Sequence, residues 1–444
     1  MISVRKLPLL VLSTLILSAF AARARADVVD FVKTPDPAFA WKLLEKKDVP
    51  GGTIYDLHLV SQEWHGIKWE HQLQVFLPAS VKPTKTMFLW NTGGKADPIS
   101  MALGMELAVK MNAPVAFLYG IPNQPLFDGK KEDALIAETF VRYLQTKDET
   151  WPLLFPMAKA LSRAMDALQA FARQEWKIEV THFIVSGASK RGWTTWLSAA
   201  ADPRVKALAP CVFDTLNMQA QLPYQLKSYG KYSDMIADYT KRGLAPIPDT
   251  PDGKKLWAMV DPWVYRSRLK QPIMIVNGTN DPYWTQDSLN IYWDDIKADK
   301  WVLYVPNAGH NLAQKHEGLN IIPDRSRAMG TLAAFARHQI FDVPMPKVAW
   351  KHEDSNPKMQ LKLETDPAPK VARLWSAQAD TRDFRQAKWT DQPINVTGKS
   401  LTADMTIPES GFVAFFAELE YDIDGLRYYL STQLRIAGNE KKAP

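Results

Sequence analysis

Short runs of apolar residues, bounded by turn residues, recur along the first three quarters of the chain. Longer segments with apolar residues at spacings of three and four separate them. This alternation predicts a mostly parallel β-sheet covered by helices, because parallel strands need long crossover connections. The predicted strands are residues 72–77, 86–90, 114–119, 180–186, 205–213, 273–277 and 301–305.

Two segments between these strands stand out. Residues 156–176 carry apolar side chains on one face and predict an amphipathic helix that covers the sheet. Residues 215–271 interrupt the alternation and are rich in Tyr, Gln, Asp and Pro, with weaker helical patterns at 235–242 and 254–260. Because so long a connection in a compact domain is usually functional, we expect a lid or binding wall here.

The pattern changes again after Phe341, where short alternating runs follow a proline-containing segment. We expect residues 344–444 to form a small β-sandwich-like domain behind a main domain at 27–343. Extra strands on the main sheet are the alternative. The runs are residues 359–363, 372–377, 401–407, 412–421 and 428–436.

Composition narrows the class of protein. The 444 residues are 46% hydrophobic and 23% charged, as in ordinary globular proteins. The net charge is +6, but Arg5, Lys6, Arg23 and Arg25 all precede residue 27, and no acidic residue does. The other 50 basic residues nearly balance the 48 acidic ones. This balance argues against a nucleic-acid-binding protein, since such proteins carry a clear basic excess.

The first 26 residues have the pattern of a secretory signal peptide. Two basic residues precede an apolar run at 7–20, and the small residues Ala24 and Ala26 mark a cleavage position after Ala26. A retained anchor is the alternative, but the run is shorter than the roughly 20 apolar residues that span a bilayer. No later segment is comparable, so we expect a periplasmic or secreted protein without an integral membrane segment.

One predicted strand runs through a tight turn directly into a helix. The turn reads S-G-A-S-K-R-G from Ser186 to Gly192. This is the pattern of a nucleophile elbow, which projects a serine hydroxyl, here that of Ser189, above the edge of the sheet. The usual second glycine, two residues after the serine, is replaced by Arg191, and Gly192 follows one position later.

An acid and a histidine follow later strands in the order that α/β-hydrolases use. Asp281 comes shortly after the strand at 273–277, and His310 comes shortly after the strand at 301–305. In a catalytic triad, the histidine removes the serine proton and the acid fixes the imidazole tautomer. The spacing therefore predicts Ser189, Asp281 and His310 as a triad at one edge of the mostly parallel sheet. Asp287 is an alternative acid.

The tetrahedral intermediate of such a reaction needs an oxyanion hole. The backbone N–H of Lys190 is the first predicted donor because it follows the nucleophile. Gly93 or Gly94, after the strand at 86–90, is the second, although this glycine pair has the alternative role of a plain turn.

Three residues near the predicted triad are assigned to substrate binding. Arg191 is a candidate for holding negative charge, and its alternative is structural pairing with a carboxylate. Trp193 and Trp284 are aromatic candidates beside the nucleophile and the acid. Aromatic residues of the insertion either line the pocket or are simply buried. They are Tyr224, Tyr229, Tyr232, Trp257 and Trp263.

Other chemistry has little support in the sequence. The histidines, among them His58, His71 and His316, lack the spacing of a zinc motif, and there is no phosphate-binding or dinucleotide-binding glycine motif. We expect no cofactor and no metal. Cys211 lies in an apolar stretch, which favours a core residue over a nucleophile.

Eight short motifs follow one another in order along the chain. They are IPNQPL from Ile121, EDALIA from Glu132, WP at Trp151, PM at Pro156, AMD at Ala164, SGASKRGW from Ser186, DPRV from Asp202 and VPNAGH from Val305. In these motifs the chain resembles the PhoPQ-activated pathogenicity-related proteins over nearly its whole mature length. The resemblance implies an α/β-hydrolase fold with a β-rich C-terminal region, export from a Gram-negative cell, and a link to virulence and antimicrobial-peptide resistance. It supplies no substrate, and the residues directly after Asp281 differ from those of many relatives.

Two functional classes follow. The first is an exported serine hydrolase acting on an ester or amide, with a small molecule or a peptide as substrate. The second is a secreted binding or signalling protein on a hydrolase scaffold. Cleavage of cationic peptides is a weaker third reading, because Lys190 and Arg191 would repel such substrates. The oligomeric state stays open.

Overall fold

The computed structural model describes residues 27–314, 323–355 and 357–439. The predicted signal peptide and His316 lie outside these residues. The strands of the first part are β1 (Ala40–Val49), β2 (Gly52–Trp64), β3 (Ile67–Pro78), β4 (Thr86–Asn91), β5 (Val115–Leu118), β6 (His182–Ala188), β7 (Val205–Cys211), β8 (Ile273–Gly278) and β9 (Lys300–Val305).

These strands form one mixed sheet in the order β1-β2-β3-β5-β4-β6-β7-β8-β9. The strands β1, β2, β3 and β5 pair antiparallel, whereas β5, β4, β6, β7, β8 and β9 pair parallel. The antiparallel start, the inversion of β4 and β5 and the long parallel run are the arrangement of the α/β-hydrolase fold. The predicted fold class is therefore confirmed.

Helices cover both faces of this sheet, as the alternation predicts. They are α1 (Val28–Lys33), α2 (Pro98–Met111), α3 (Glu132–Thr146), α4 (Leu154–Phe171), α5 (Lys190–Ala201), α6 (Met218–Tyr229), α7 (Ala237–Thr240), α8 (Pro251–Val260) and α9 (Ser326–Ile340). The hydrophobic core on one face includes residues of α1, α3, α4 and α5, and the core on the other face includes residues of α2 and α9.

The predicted helix at 156–176 corresponds to α4 and a π-helical turn, Ala172–Trp176, that continues it. Its apolar face is fully buried, and so is most of the rest of the helix. Even Lys159 is buried, and its ammonium group lies 3.1 Å from the carboxylate of Asp36. This pairing removes most of the cost of burying the charge.

The segment at 215–271 is a helical insertion between β7 and β8, as predicted. It contains α6, α7, α8 and two 3-10 turns, Asp234–Ile236 and Pro262–Arg268. Its first helix, α6, has no counterpart among the predicted elements because Pro223 lies inside it and normally ends a helical pattern. The insertion packs above the carboxyl edge of the sheet, where it forms a wall of the cavity described below.

The C-terminal region forms two β-layers. One contains β10 (Lys347–Ser355), β11 (Lys358–Asp366) and β14 (Ser400–Thr406), and the other contains β12 (Val371–Ala379), β13 (Thr390–Ile394), β15 (Gly411–Ile423), β16 (Leu426–Ser431) and β17 (Arg435–Asn439). Side chains of both layers, among them Leu361 and Phe415, are buried in one cluster, as expected of a sandwich.

The second layer also continues the main sheet. Ser431 of β16 pairs with Val302 of β9, so that fourteen of the described strands form one sheet. The tail is thus sandwich-like, as predicted, while one of its layers has the connection that the alternative reading required. In the ranges that the structure describes, no helix has the length and apolar character needed to cross a bilayer.

Candidate active site

Ser189 occupies a sharp turn between β6 and α5. Its backbone angles are φ 60° and ψ −127°, in the left-handed half of the map that a serine rarely adopts. The Ser189 N–H donates to the carbonyl of Cys211 at 2.9 Å, and the Ser189 carbonyl accepts from the Trp193 N–H at 3.0 Å. Such strain is typical of functional sites. This geometry is that of a nucleophile elbow.

Gly192 explains how this elbow tolerates an arginine in the usual glycine slot. A Cβ atom on Gly192 would lie 2.9 Å from the Cys211 carbonyl oxygen and 2.9 Å from Cβ of Phe213. Close packing of α5 against β7 therefore requires a glycine at this position. The side chain of Arg191 lies elsewhere, with its Nε donating to the carbonyl of Ile121 at 2.5 Å.

The two cations beside Ser189 are both neutralised by neighbouring acids on α3. Arg191 makes a bidentate pair with Glu132, with N–O distances of 2.6 and 2.7 Å. Lys190 Nζ lies 3.0 Å from a carboxylate oxygen of Glu132 and 3.0 Å from one of Asp133. Burial alone would raise the pKa of Glu132, but the hydrogen bonds and charge of Arg191 lower it to about 2. The carboxylate thus stays ionised.

This pairing corrects two expectations. Arg191 does not line the cavity at Ser189, so the structure supports its alternative role as a paired structural cation and not substrate binding. The argument that Lys190 and Arg191 repel cationic substrates also fails, since two acids balance two bases. One sequence signal could have indicated this pairing: Glu132 and Asp133 are adjacent acids in one of the motifs that carry the resemblance.

Asp281 and His310 are joined directly. His310 Nδ1 lies 2.7 Å from Oδ2 of Asp281, whose other oxygen accepts from the Tyr283 N–H at 2.9 Å. The ring of Tyr283 stacks on the imidazole, with centroids 4.2 Å apart. Among the described residues, the other imidazole nitrogen, Nε2, is buried and has no hydrogen-bond partner. That nitrogen is available to accept a proton.

Asp287, the alternative acid, is engaged elsewhere. It accepts hydrogen bonds from the Tyr224 hydroxyl at 2.6 Å and from Arg382 at 2.7 Å. Of the two candidates, the structure therefore pairs Asp281 with His310.

A loop of the C-terminal region holds the loops that carry Asp281 and His310. The side-chain amide of Asn280 donates to the carbonyl of Ala387 at 2.8 Å. Asn307 donates to the carbonyl of Trp389 at 2.9 Å and accepts from the Trp389 N–H at 2.8 Å. Because Asn280 adjoins the acid and Asn307 lies three residues before the histidine, this loop helps to fix both positions.

Ser189 and His310 line the same cavity, which has a volume of about 40 Å³. Its lining is mainly apolar with a few polar groups, as is usual for small-molecule sites. Trp193 and Trp284, both assigned to substrate binding from the sequence, line it as well. Of the five insertion aromatics, Trp257 lines it. The remaining lining residues are Asp133, Lys190, Val212, Phe213, Thr215, Met218, Leu222, Ile236, Tyr239, Ala245 and Tyr283.

Gly93 and Gly94 do not line this cavity. A Cβ on Gly93 would lie 2.3 Å from a guanidinium nitrogen of Arg191, so the glycine makes room for the Arg191–Glu132 pair. Gly94 faces a neighbouring, polar cavity. Lys190, the first predicted oxyanion donor, does line the cavity.

Two further buried groups complete the site region. Cys211 is fully buried, and burial raises the pKa of its thiol to about 12, which fits a core residue. Asp214 is the buried acid that the sequence analysis missed. Burial raises the pKa of Asp214 to about 7, although Tyr292 and Ser288 donate hydrogen bonds to it. In the described ranges, His, Cys, Asp and Glu side chains form no cluster of three that suits a metal ion.

Comparison with known proteins places this geometry in context. The sequence profile of the PhoPQ-activated pathogenicity-related protein family matches residues 28–385. Autocrine proliferation repressor protein A of Dictyostelium discoideum is 32% identical and aligns over 94% of this chain and 89% of its own. The family match spans the serine, the acid and the histidine.

Solved structures of esterases share the general architecture at low identity. Acetyl xylan esterase 1 from Thermoanaerobacterium sp. superposes with a TM-score of 0.48 and 15% identity, over 71% of this chain and 91% of its own. An acetyl xylan esterase from Paenibacillus sp. R4 superposes with a TM-score of 0.44 and 12% identity, over 69% of this chain and 92% of its own.

Proposed function

The chain belongs to the PhoPQ-activated pathogenicity-related protein family, and we propose that this member is a serine hydrolase that cleaves an ester or amide bond through an acyl-enzyme. The observation that carries the proposal is the state of His310. One of its nitrogens is bonded to Asp281, and the other is buried without a partner among the described residues in the cavity that Ser189 lines. An imidazole oriented by a carboxylate, with its other nitrogen free in the cavity of a strained serine, supports a general-base role for His310.

In the proposed mechanism, Oγ of Ser189 attacks the substrate carbonyl carbon while Nε2 of His310 takes the hydroxyl proton. Asp281 holds the Nδ1–H and stabilises the imidazolium that forms. The backbone N–H of Lys190 donates to the developing oxyanion. The imidazolium then returns its proton to the leaving group, and water attacks the acyl-enzyme by the same route in reverse.

The cavity walls favour esters of uncharged acids as substrates. They are mainly aromatic and aliphatic, and the charged pair Asp133 and Lys190 is already matched at 3.0 Å. Cationic peptides remain disfavoured for this reason, since a basic side chain would have to displace Lys190 from Asp133.

A fluorophosphonate probe tests the proposal because it labels an activated serine covalently. We expect the wild-type protein to be labelled and Ser189→Ala to remain unlabelled. Ser198→Ala is the matched control, since Ser198 lies on α5, the helix that follows Ser189, and its hydroxyl is buried without a partner among the described residues. A folded wild-type protein that never labels, or labelling that survives in Ser189→Ala, would refute the proposed role of Ser189.

The alternative function is binding without catalysis. It is favoured by one observation: the relative that shares 32% identity over 94% of this chain is named as a repressor of proliferation. A well-folded protein that neither labels nor hydrolyses an ester series would support this alternative.

We also propose that the protein is exported after removal of residues 1–26, on the signal pattern alone. N-terminal sequencing of the protein recovered from the periplasm or medium tests this. A mature chain that begins at Asp27 is expected, and a chain retained with its first 26 residues in the cytoplasm would contradict it.

A further inference from the structure

Two cavities on the insertion side of the molecule share one wall. The inner cavity, about 40 Å³, is lined by Ser189 and His310. An outer groove, about 460 Å³, lies on the insertion. Met218, Leu222 and Trp257 line both. These three side chains are therefore the partition between the site of the serine and the outer groove.

The partition is closely packed. Met218 and Leu222 lie one turn apart on α6 and are 4% and 1% exposed. Trp257, on α8, is fixed by a hydrogen bond from its indole N–H to the carbonyl of Leu244 at 3.0 Å. Its ring lies parallel to that of Trp193, with centroids 6.4 Å apart. A long substrate group that enters the inner cavity thus meets a wall formed by side chains of α6 and α8.

The outer groove continues the apolar surface beyond this wall. Pro223, Ile247, Ala258 and Val264 line it, and Val264 is 43% exposed. The charged residues that line the groove include Asp249 and Lys254, which pair with each other at the surface. Removal of the partition would therefore join the inner cavity to a second apolar compartment.

Resting on the serine hydrolase function proposed above, we propose that the inner cavity binds the acyl chain of the substrate and that Met218 and Leu222 limit its length. The substrates are esters of short, uncharged carboxylic acids. The cavity beside Ser189 is small and mainly apolar, and Met218 and Leu222 of α6 bound it. An apolar pocket excludes charged acyl groups because of their desolvation cost.

The experiment measures kcat/KM for p-nitrophenyl esters with acyl chains of two to ten carbons. Wild type is expected to prefer the short chains. In Leu222→Ala and in Met218→Ala, the ratio of kcat/KM for the eight-carbon ester to that for the two-carbon ester should rise at least about tenfold, since one methylene in an apolar pocket changes rates by roughly 10- to 200-fold.

Leu226→Ala is the matched control. Leu226 lies on the same helix, one turn beyond Leu222, but is 43% exposed and lines neither cavity. Its chain-length ratio should equal that of wild type. If Leu222→Ala does not fold, Leu222→Val provides the same test with a smaller cavity.

Three results would overturn the inference. An unchanged chain-length ratio in the α6 variants would show that Met218 and Leu222 do not limit the length of the acyl chain. A shift that appears only when the alcohol chain is varied would show that the cavity holds the leaving group. Absence of both hydrolysis and probe labelling in the wild type would refute the proposed function itself, and with it this inference.

Discussion

Replacing Glu132 by glutamine tests whether its ion pairs with Arg191 and Lys190, beside Ser189, matter for the site. The carboxylate of Glu132 accepts two hydrogen bonds from Arg191 and one from Gln124, and it lies 3.0 Å from Lys190 Nζ. Glutamine keeps the shape but removes the negative charge. Arg191 would then lose its charged partner, while Lys190 would keep Asp133.

The magnitude follows from the pKa of Glu132, which falls from 4.5 to about 2. For a fully buried group this lowering is equivalent to about 3.4 kcal/mol, since one pKa unit corresponds to 1.36 kcal/mol. The side chain is 40% exposed, so solvent screening reduces the expected loss of unfolding free energy to about 2 kcal/mol. The contribution is present above pH 4.5 and is lost as the pH falls from there towards 2, because a lowered pKa stabilises the ionised folded state.

The assay combines urea unfolding at pH 7 with ester hydrolysis. We expect Glu132→Gln to unfold with about 2 kcal/mol less free energy and to lose roughly tenfold in kcat/KM on a neutral ester, because released Arg191 no longer fixes the turn that follows Ser189. The ratio of activity on an acidic ester to that on a neutral one should rise, since two cations become partly unpaired.

Glu138→Gln is the matched control for this prediction. Glu138 lies on the same helix, α3, and pairs with Arg142 and Arg242 at 3.0 and 2.9 Å, but it does not line the cavity. It should lose comparable stability without loss of activity. Equal activity losses in both variants, or wild-type stability and activity in Glu132→Gln, would refute the reasoning.

Four other changes have defined outcomes. Asp281→Asn should lower kcat by about 10⁴-fold, as expected for an orienting acid, with an unchanged unfolding curve; activity within tenfold of wild type would contradict its role. Asp214→Asn should gain stability relative to wild type as the pH rises from about 4 to 7, at up to about 1.4 kcal/mol per unit, because the raised pKa of Asp214 favours the protonated folded state there; parallel stability curves at pH 5 and 7 would exclude this. Cys211 should resist Ellman's reagent at pH 8 until the protein is unfolded, and rapid reaction of the native protein would contradict its burial. Asn307→Ala should lose about 1–2 kcal/mol of stability with its two bonds to Trp389 and should lower kcat, and a change in KM alone would argue against a positioning role.

Much of the fold was predictable because its signals are local. The strands β4 and β8 are buried on both faces, so they read as continuous apolar runs. The elbow at Ser189 depends on a strand, a turn and a helix that are adjacent in sequence. By contrast, β1 is largely exposed and rich in charge, and α6 contains Pro223, so neither has the pattern of its element.

The parts of the site that sequence reasoning missed depend on distant partners. Arg191 and Glu132 are 59 residues apart, and no local pattern shows which way a long guanidinium side chain points. The role of the glycine pair after β4 was missed for the same reason. Gly93 is required because the Arg191 side chain leaves no room for a Cβ atom there. Asp281 could be selected over Asp287 only because strand ends converge at one edge of the sheet, a rule of topology and not of sequence.

The C-terminal region changes how the site is built. The elbow at Ser189 is fixed within the main sheet by backbone bonds to β7, whereas the loops of Asp281 and His310 are bonded through Asn280 and Asn307 to the loop between β12 and β13. The layer that carries this loop is itself joined to β9 through β16. Because supporting contacts of this kind hold catalytic groups to within a fraction of an ångström, the tail is part of the scaffold of the proposed triad. That role gives a physical reason why one of its layers continues the main sheet and does not fold as a separate body.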